Sequence, residues 1–381
     1  MRAPLAAARA SAVLLLAACA GEYPQTTFAP VTDFGVLINE VFATTLWWTM
    51  GILVVVLSMI LVAVIRFRET PDSPEPKQVH GNVKIEIAWT IVPAIIVVMI
   101  LVPTVSAIFE TQRRPSEDAL TIEVIGHQWW WEFRYPEYDL VTANLAYMPT
   151  GREIHLQMHS ADVIHSFWVP RLGGKRDVNP RPRQAEGEAQ HSTHLLFTIS
   201  EPGRYAGQCA EFCGDSHAIM RIEVEAVAPD AFEAWVADMK APPREPLPLE
   251  GDTAAAPAPA PGALPAPTGT GQRVSAGRPD SLIFEGRRVF SSSTCVACHT
   301  IEGVSSGPLG PNLTLFGRRL TVGAGALPNT LENVEAWIRD PVAVKPGAQM
   351  PGAERPWGAF PATGLSDAEI RAVAAYLTSL K

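Results

Sequence analysis

The chain has 381 residues and a mass of 41.2 kDa, a length that suggests two or three domains rather than one. Only 18% of residues are charged, against roughly 25% in an average soluble domain, and a mean hydropathy of +0.11 adds to the case for membrane-embedded segments and against a purely soluble enzyme. A formal charge of -9 and a pI near 5.5 exclude nucleic acid as a main partner, because phosphate binding needs a basic surface. The cysteines, at 19, 209, 213, 295 and 298, make one isolated thiol and two close pairs, which suits metal or haem attachment better than a disulfide framework.

Arg2 and Arg9 precede the apolar run Ala12–Ala18, too short to cross a bilayer but suited to the core of a signal peptide over residues 1–18. The run ends Leu16-Ala17-Ala18-Cys19 and resembles a bacterial lipobox, which implies cleavage before Cys19 and lipidation of its thiol. The alternative is an ordinary small-residue cleavage site beside an incidental cysteine. After an external segment, 19–45, come two uncharged stretches, Leu46–Ile65 and Ile87–Phe109, each able to span a hydrocarbon core of ~30 Å. Pro93 and Pro103 are tolerable there, because neighbouring helices can satisfy the freed carbonyls. The loop 66–86 holds Arg66, Arg68, Lys77 and Lys84, whereas 19–45 has neither Lys nor Arg. The positive-inside rule therefore puts the loop in the cytoplasm and everything after Phe109 outside.

Residues 118–228 carry short alternating or β-branched runs, Thr121–Ile125, Glu153–Met158, His194–Ile199 and Ile222–Val227, separated by turn residues. This pattern predicts a small all-β sandwich or barrel. Residues 241–280 hold ten prolines among Ala, Gly and Thr, and predict an extended linker that cannot bury enough surface to fold. Residues 281–381 predict a compact, mainly helical domain whose last helix starts with the capping box Ser366-Asp367-Ala368-Glu369.

The stretch Cys209-Ala-Glu-Phe-Cys213-Gly-Asp-Ser-His217-Ala-Ile-Met220 puts two thiols, an imidazole and a thioether on one loop. Soft sulfur with imidazole selects copper or zinc, and the methionine favours copper, where a weak axial thioether tunes the potential. A second histidine must come from elsewhere; His165, at the end of a predicted strand, is the candidate. From about Phe34 to Ala226 the sequence resembles the copper-bearing subunit 2 of haem–copper cytochrome c oxidases. The resemblance implies a transmembrane hairpin and a cupredoxin domain holding the dinuclear CuA centre. It implies that Cys209 and Cys213 bridge both coppers, that His165 and His217 bind one each, that Met220 is a weak ligand and that Glu211 donates its backbone carbonyl. It also implies that the Glu211 side chain binds magnesium at the boundary with subunit 1. The sequence departs from the family's pattern after Asp177, where Asn179-Pro-Arg-Pro-Arg183 replaces the usual Pro-Gly-Arg in a longer 178–200 loop. His155, His159, His191 and His194 read as strand or surface histidines rather than ligands.

In Gly126-His-Gln-Trp129-Trp-Trp-Glu-Phe133, three consecutive indoles must point to both faces of a strand. Trp130 and Trp131 suit packing, while Trp129 matches the aromatic at which electrons enter family members from cytochrome c. Cys295-Val-Ala-Cys298-His299 has the spacing for two haem thioethers and an axial imidazole. A zinc reading fails because 281–381 holds no further Cys or His. This segment resembles class I cytochrome c, with Gly286 and Phe290 on a first helix, then Gly310-Pro311-Asn312-Leu313, and Met350 as the second axial ligand. Glu86, one position before the second span, is either a solvated helix-end charge or the family's carboxylate at the mouth of a proton-uptake channel.

The resemblance implies subunit 2 of a caa3-type oxidase in a bacterial plasma membrane, with a fused all-α cytochrome c carrying one covalent haem c and with CuA and haem on the outer side. Its expected partners are subunit 1 (haem a and CuB), subunit 3, membrane lipid, and a cytochrome c or bc1-type complex as donor. The oxygen-reducing site would lie on subunit 1 and be coupled to proton translocation. A CuA-containing nitric oxide reductase and a stand-alone tethered electron shuttle are the alternatives.

Overall fold

A computed structural model describes residues 23–69, 71, 75, 78, 80–180, 193–241 and 279–381. The signal peptide with Cys19, Lys77, residues 181–192 with His191, and the linker between 242 and 278 lie outside the described residues.

Helix α1, Asp33–Arg66, starts well upstream of Leu46 because Thr32 caps it, its Oγ1 accepting from Gly35 N at 2.9 Å. The first turn packs on the β domain rather than entering the span. Phe34 is buried, Thr32 Oγ1 donates to the Leu172 carbonyl (2.7 Å), and Asp33 Oδ1 accepts from Thr198 N (2.7 Å). Helix α2, Val83–Thr111, is capped by Asn82 and contains both prolines. Each helix carries an 18-residue window of mean hydropathy 2.7 with none of it buried by this chain, as a membrane span requires. Just past α2, Arg113 pairs with Glu153 at 2.5 Å, and Glu153 also accepts from Ser116 N at 2.7 Å.

Ten strands follow: β1 Leu120–His127, β2 Trp130–Tyr135, β3 Leu140–Ala143, β4 Leu145–Pro149, β5 Glu153–Ser160, β6 His165–Trp168, β7 Arg176–Val178, β8 Thr193–Thr198, β9 Gly203–Cys209 and β10 Arg221–Val227. They form two five-stranded sheets, β3-β2-β1-β5-β8 and β4-β10-β9-β6-β7. The pairs β1/β5 and β4/β10 are parallel; the other ladders are antiparallel. Period-two alternation on β2 sends Trp131, Phe133 and Tyr135 into the core, each with no exposed surface, and Trp130 outward onto His127, stacked at 4.1 Å. Helix α3, Pro229–Lys240, which the sequence reading did not foresee, buries Phe232 and Val236 and stacks Trp235 on Tyr147.

In the C-terminal domain, α4 (Pro279–Ser292) crosses α8 (Asp367–Ser379) so closely that a Cβ at Gly286 would lie 1.9 Å from the Ala372 carbonyl oxygen. Glycine is the residue that permits this crossing. Phe290 and Tyr376 fill the space beside it, and Ser366 and Glu369 form the expected capping box. Between them lie α5 (Cys295–Cys298), α6 (Leu331–Arg339), α7 (Pro341–Val344) and the two-residue ladders β11–β12 (Thr300–Ile301, Ser305–Ser306) and β13–β14 (Thr321–Val322, Leu327–Pro328). The layout of membrane hairpin, β sandwich and cytochrome c domain is the one the sequence predicts.

Candidate metal and haem centres

His165 opens β6, rather than ending a strand, and Cys209 ends the neighbouring β9; the loop to β10 supplies the remaining donors. Cys209 Sγ lies 3.8 Å from Cys213 Sγ and 3.9 Å from His165 Nδ1, while Cys213 Sγ lies 3.7 Å from His217 Nδ1 and 3.9 Å from Met220 Sδ. The Glu211 carbonyl is 3.2 Å from Cys209 Sγ. At a near-tetrahedral angle on one first-row metal, a nitrogen at ~2.0 Å and a sulfur at ~2.3 Å stand about 3.5 Å apart, and two sulfurs about 3.8 Å. The sulfur-to-sulfur separation matches that spacing and the two imidazole-to-sulfur separations lie a few tenths of an ångström beyond it, so the donor set fits soft metal ions. His165, Cys209, Cys213 and Met220 are buried.

The sulfur pair carries its negative charge on Cys209. The Cys213 thiol donates to Cys209, and despite the cost of burial this bond, with His165 and backbone donors, holds Cys209 down to about 3, while the same thiolate pushes the Cys213 thiol up. Burial pulls the His165 imidazolium down, but Asp162 Oδ1, 2.8 Å from Nε2, and Cys209 raise it overall. Asp162 therefore fixes the tautomer that presents Nδ1 to the sulfur pair, the usual way an outer carboxylate orients a metal-binding histidine. Asp162 has no role in the sequence reading; the Asp-x-x-His spacing to His165 is the signal that could have marked it.

Trp129 is 7% exposed, and its Nε1 donates to the Cys213 carbonyl at 2.9 Å, beside Gln128 Nε2 at 2.7 Å. It sits under the C-terminal domain rather than on an open surface. His155 and His194 lie on β5 and β8, their rings 2.9 Å apart at Nε2 and Nδ1, and His159 also lies on β5; none belongs to the sulfur cluster.

A cleft in the C-terminal domain brings Cys295, Cys298, His299 and Met350 together with the apolar Phe290, Leu313 and Val373. His299 Nδ1 donates to the Pro311 carbonyl at 2.9 Å, leaving Nε2 for iron. Gly310 allows that approach, since a Cβ there would come 2.5 Å from the imidazole. Burial and the nearby Arg319 keep His299 neutral, below its ordinary range, although the Pro311 carbonyl opposes them. Two free thiols, an oriented imidazole and a thioether on an apolar cleft fit a covalent haem. Gln128, Trp129 and Trp130 of the β domain also line this cleft.

Lys345 went unremarked in the sequence. Its Nζ donates to the carbonyls of Trp129, Gly323 and Ile219 (2.5, 3.0 and 3.2 Å), and burial pulls its ammonium down to about 7 against the pull of Cys213. Nothing local marks it, because two of its three partners come from another domain. Glu86 caps α2, its Oε1 accepting from Asn82 N at 3.2 Å.

A membrane-anchored β-sandwich metal domain joined to a cytochrome c defines a redox protein of two centres. Residues 35–107 match the family described as cytochrome c oxidase subunit II, transmembrane domain; residues 139–227 match its periplasmic domain; residues 283–381 match cytochrome c. The cytochrome c oxidase subunit 2 of Alkalihalophilus pseudofirmus is 33% identical over 97% of this chain and 94% of its own length. That of Bacillus subtilis is 30% identical over 84% and 81%. The crystal structure of the periplasmic domain of subunit II of cytochrome oxidase from Bradyrhizobium japonicum, 29% identical, covers 33% of this chain and 97% of its own, with a TM-score of 0.30. The chain belongs to the cytochrome c oxidase subunit 2 family.

Proposed function

We propose that this chain is the electron-entry subunit of a bacterial aerobic oxidase, carrying electrons from a covalent haem c and a dinuclear copper centre to an oxygen-reducing site on subunit 1, coupled to proton translocation. The observation that carries this reading is the geometry of six donors: two cysteines, His165, His217, Met220 and the Glu211 carbonyl, packed at metal-sharing distances. Cys209 and Cys213 would bridge the coppers, with the other four completing them. Cys295 and Cys298 would hold the haem, with His299 and Met350 on its iron. When bound, these groups supply one-electron chemistry at potentials set by their ligands. The protein's own part is to hold the donors rigid and dry, which keeps reorganisation small.

Trp129 suits electron entry because its indole is one hydrogen bond from the backbone of Cys213. Phe212, 78% exposed on the loop between the buried Cys209 and Cys213, and the adjacent Glu211 carboxylate suit contact with subunit 1, where Glu211 would bind magnesium. Subunit 3 and an external cytochrome c or bc1-type complex complete the assembly. Glu86, exposed at the loop end of α2, suits the mouth of a proton path. Cys19 would be lipidated after signal-peptide removal, giving a plasma-membrane protein with both centres outside.

Purification in mild detergent with co-purifying subunits identified by mass spectrometry, plus optical and EPR spectra, tests the assignment. Expected are a low-spin haem c, a mixed-valence copper signal and an oxygen-reducing partner. A lone chain, or a zinc-loaded sulfur site, would sink it. Intact mass tests Cys19: a diacylglyceryl adduct is expected, and retention of Met1 excludes it.

A further inference from the structure

We propose that Lys345 is a positioning residue that clamps the cytochrome domain onto the copper domain, so that the fused haem rests docked over Trp129 rather than visiting it on a tether. The inference rests on the reading of the two centres given above. Burying an ammonium is costly unless its protons are all bonded. Lys345, 3% exposed, meets that condition only at the interface: Gly323 of its own domain takes one bond, and the carbonyls of Trp129 and Ile219 in the copper domain take the others. A shift of the cytochrome domain by a bond length would strand the charge, which makes the contact specific for one register.

Independent contacts fix the same register. Ser216, fully buried in the copper loop, donates its hydroxyl to the Pro346 carbonyl, next to Lys345. Arg318, on a different segment of the cytochrome domain, reaches the carbonyl and carboxylate of Asp238 at the end of α3 (2.7 and 2.9 Å). Trp129 thereby loses its exposed face, and the haem cleft opens onto it. An external donor is then excluded from Trp129 and must deliver electrons to the haem domain.

The test is a pulsed-EPR distance measurement between ferric haem and the copper centre in the assembled oxidase, paired with flash reduction of the haem. The wild type should give one narrow distance distribution and a concentration-independent haem-to-copper step. Lys345→Met, which keeps the apolar stem and removes the donors, should broaden the distribution and slow that step by roughly tenfold or more. Its low-spin haem spectrum and copper signal should survive, and a soluble cytochrome c should begin to reduce the copper directly. A broad distribution in the wild type, or an unchanged distance and rate in Lys345→Met, overturns the clamp alone. Absence of either paramagnetic signal in the wild type overturns the two-centre reading and the clamp with it. If the variant does not assemble, a broad wild-type distribution still overturns the clamp.

Discussion

Side chains at the two centres can be removed one at a time by substitution. Cys213 contributes a sulfur to the proposed copper site and a backbone carbonyl to Trp129, and does not line the haem cleft. Cys213→Ser should abolish the copper signal and leave the haem spectrum intact, whereas Met350→Ala should leave copper intact and lose low-spin His/Met character. Loss of both centres from either change would show that the domains do not fold independently. Asp162 acts one bond further out, through His165. Asp162→Asn should weaken copper retention by roughly 10–100-fold, the usual cost of losing such a partner, read by titration with a copper chelator.

Two elements join the layers. Helix α3 seals the end of the sandwich through Phe232, which is 1% exposed, and Phe232→Ala should cost about 3–5 kcal/mol in chemical denaturation. At the membrane boundary, Glu153 joins the end of α2 to β5. Burial raises its pKa, but the bonds from Ser116 and Arg113 outweigh burial and leave it below 4.5. A carboxylate with a depressed folded pKa stabilises fully above its unfolded value and loses that contribution as pH falls through the folded one. Acid unfolding of the detergent-solubilised chain should therefore steepen below about pH 4.5. Glu153→Gln should remove that part of the pH dependence and lower stability near neutrality by roughly 1 kcal/mol.

For the whole molecule, covalent connection sets the local concentration of haem near copper, on the order of millimolar for a flexible link. Cleavage engineered between 254 and 270 should leave haem-to-copper transfer unimolecular at high concentration. On dilution, transfer should become second-order and salt-sensitive as the cut domain dissociates. Stopped-flow reduction of copper in intact and cut enzyme measures this. Intact enzyme whose transfer rate scales with concentration would exclude a tethered donor.

The sequence by itself determined the chemistry and the local architecture. Ligand types and their spacing within one loop or one helical turn are local facts, so Cys209 to Met220 and Cys295 to His299 were legible, as were the apolar spans, the strand alternation and the capping box of α8. Met350 needed the family resemblance and His165 was a candidate that the resemblance had to assign, because their distance in sequence from their partners carries no geometric signal. Only the tertiary structure decided what depends on contacts between distant segments. The Asp162–His165 bond sets a tautomer, and the early start of α1 follows from packing Phe34 on the sandwich. Trp129 is closed off by another domain, and Lys345 completes its set of acceptors only when the two domains meet. A buried ammonium reads in sequence like any surface lysine, since its partners are backbone carbonyls that every residue possesses.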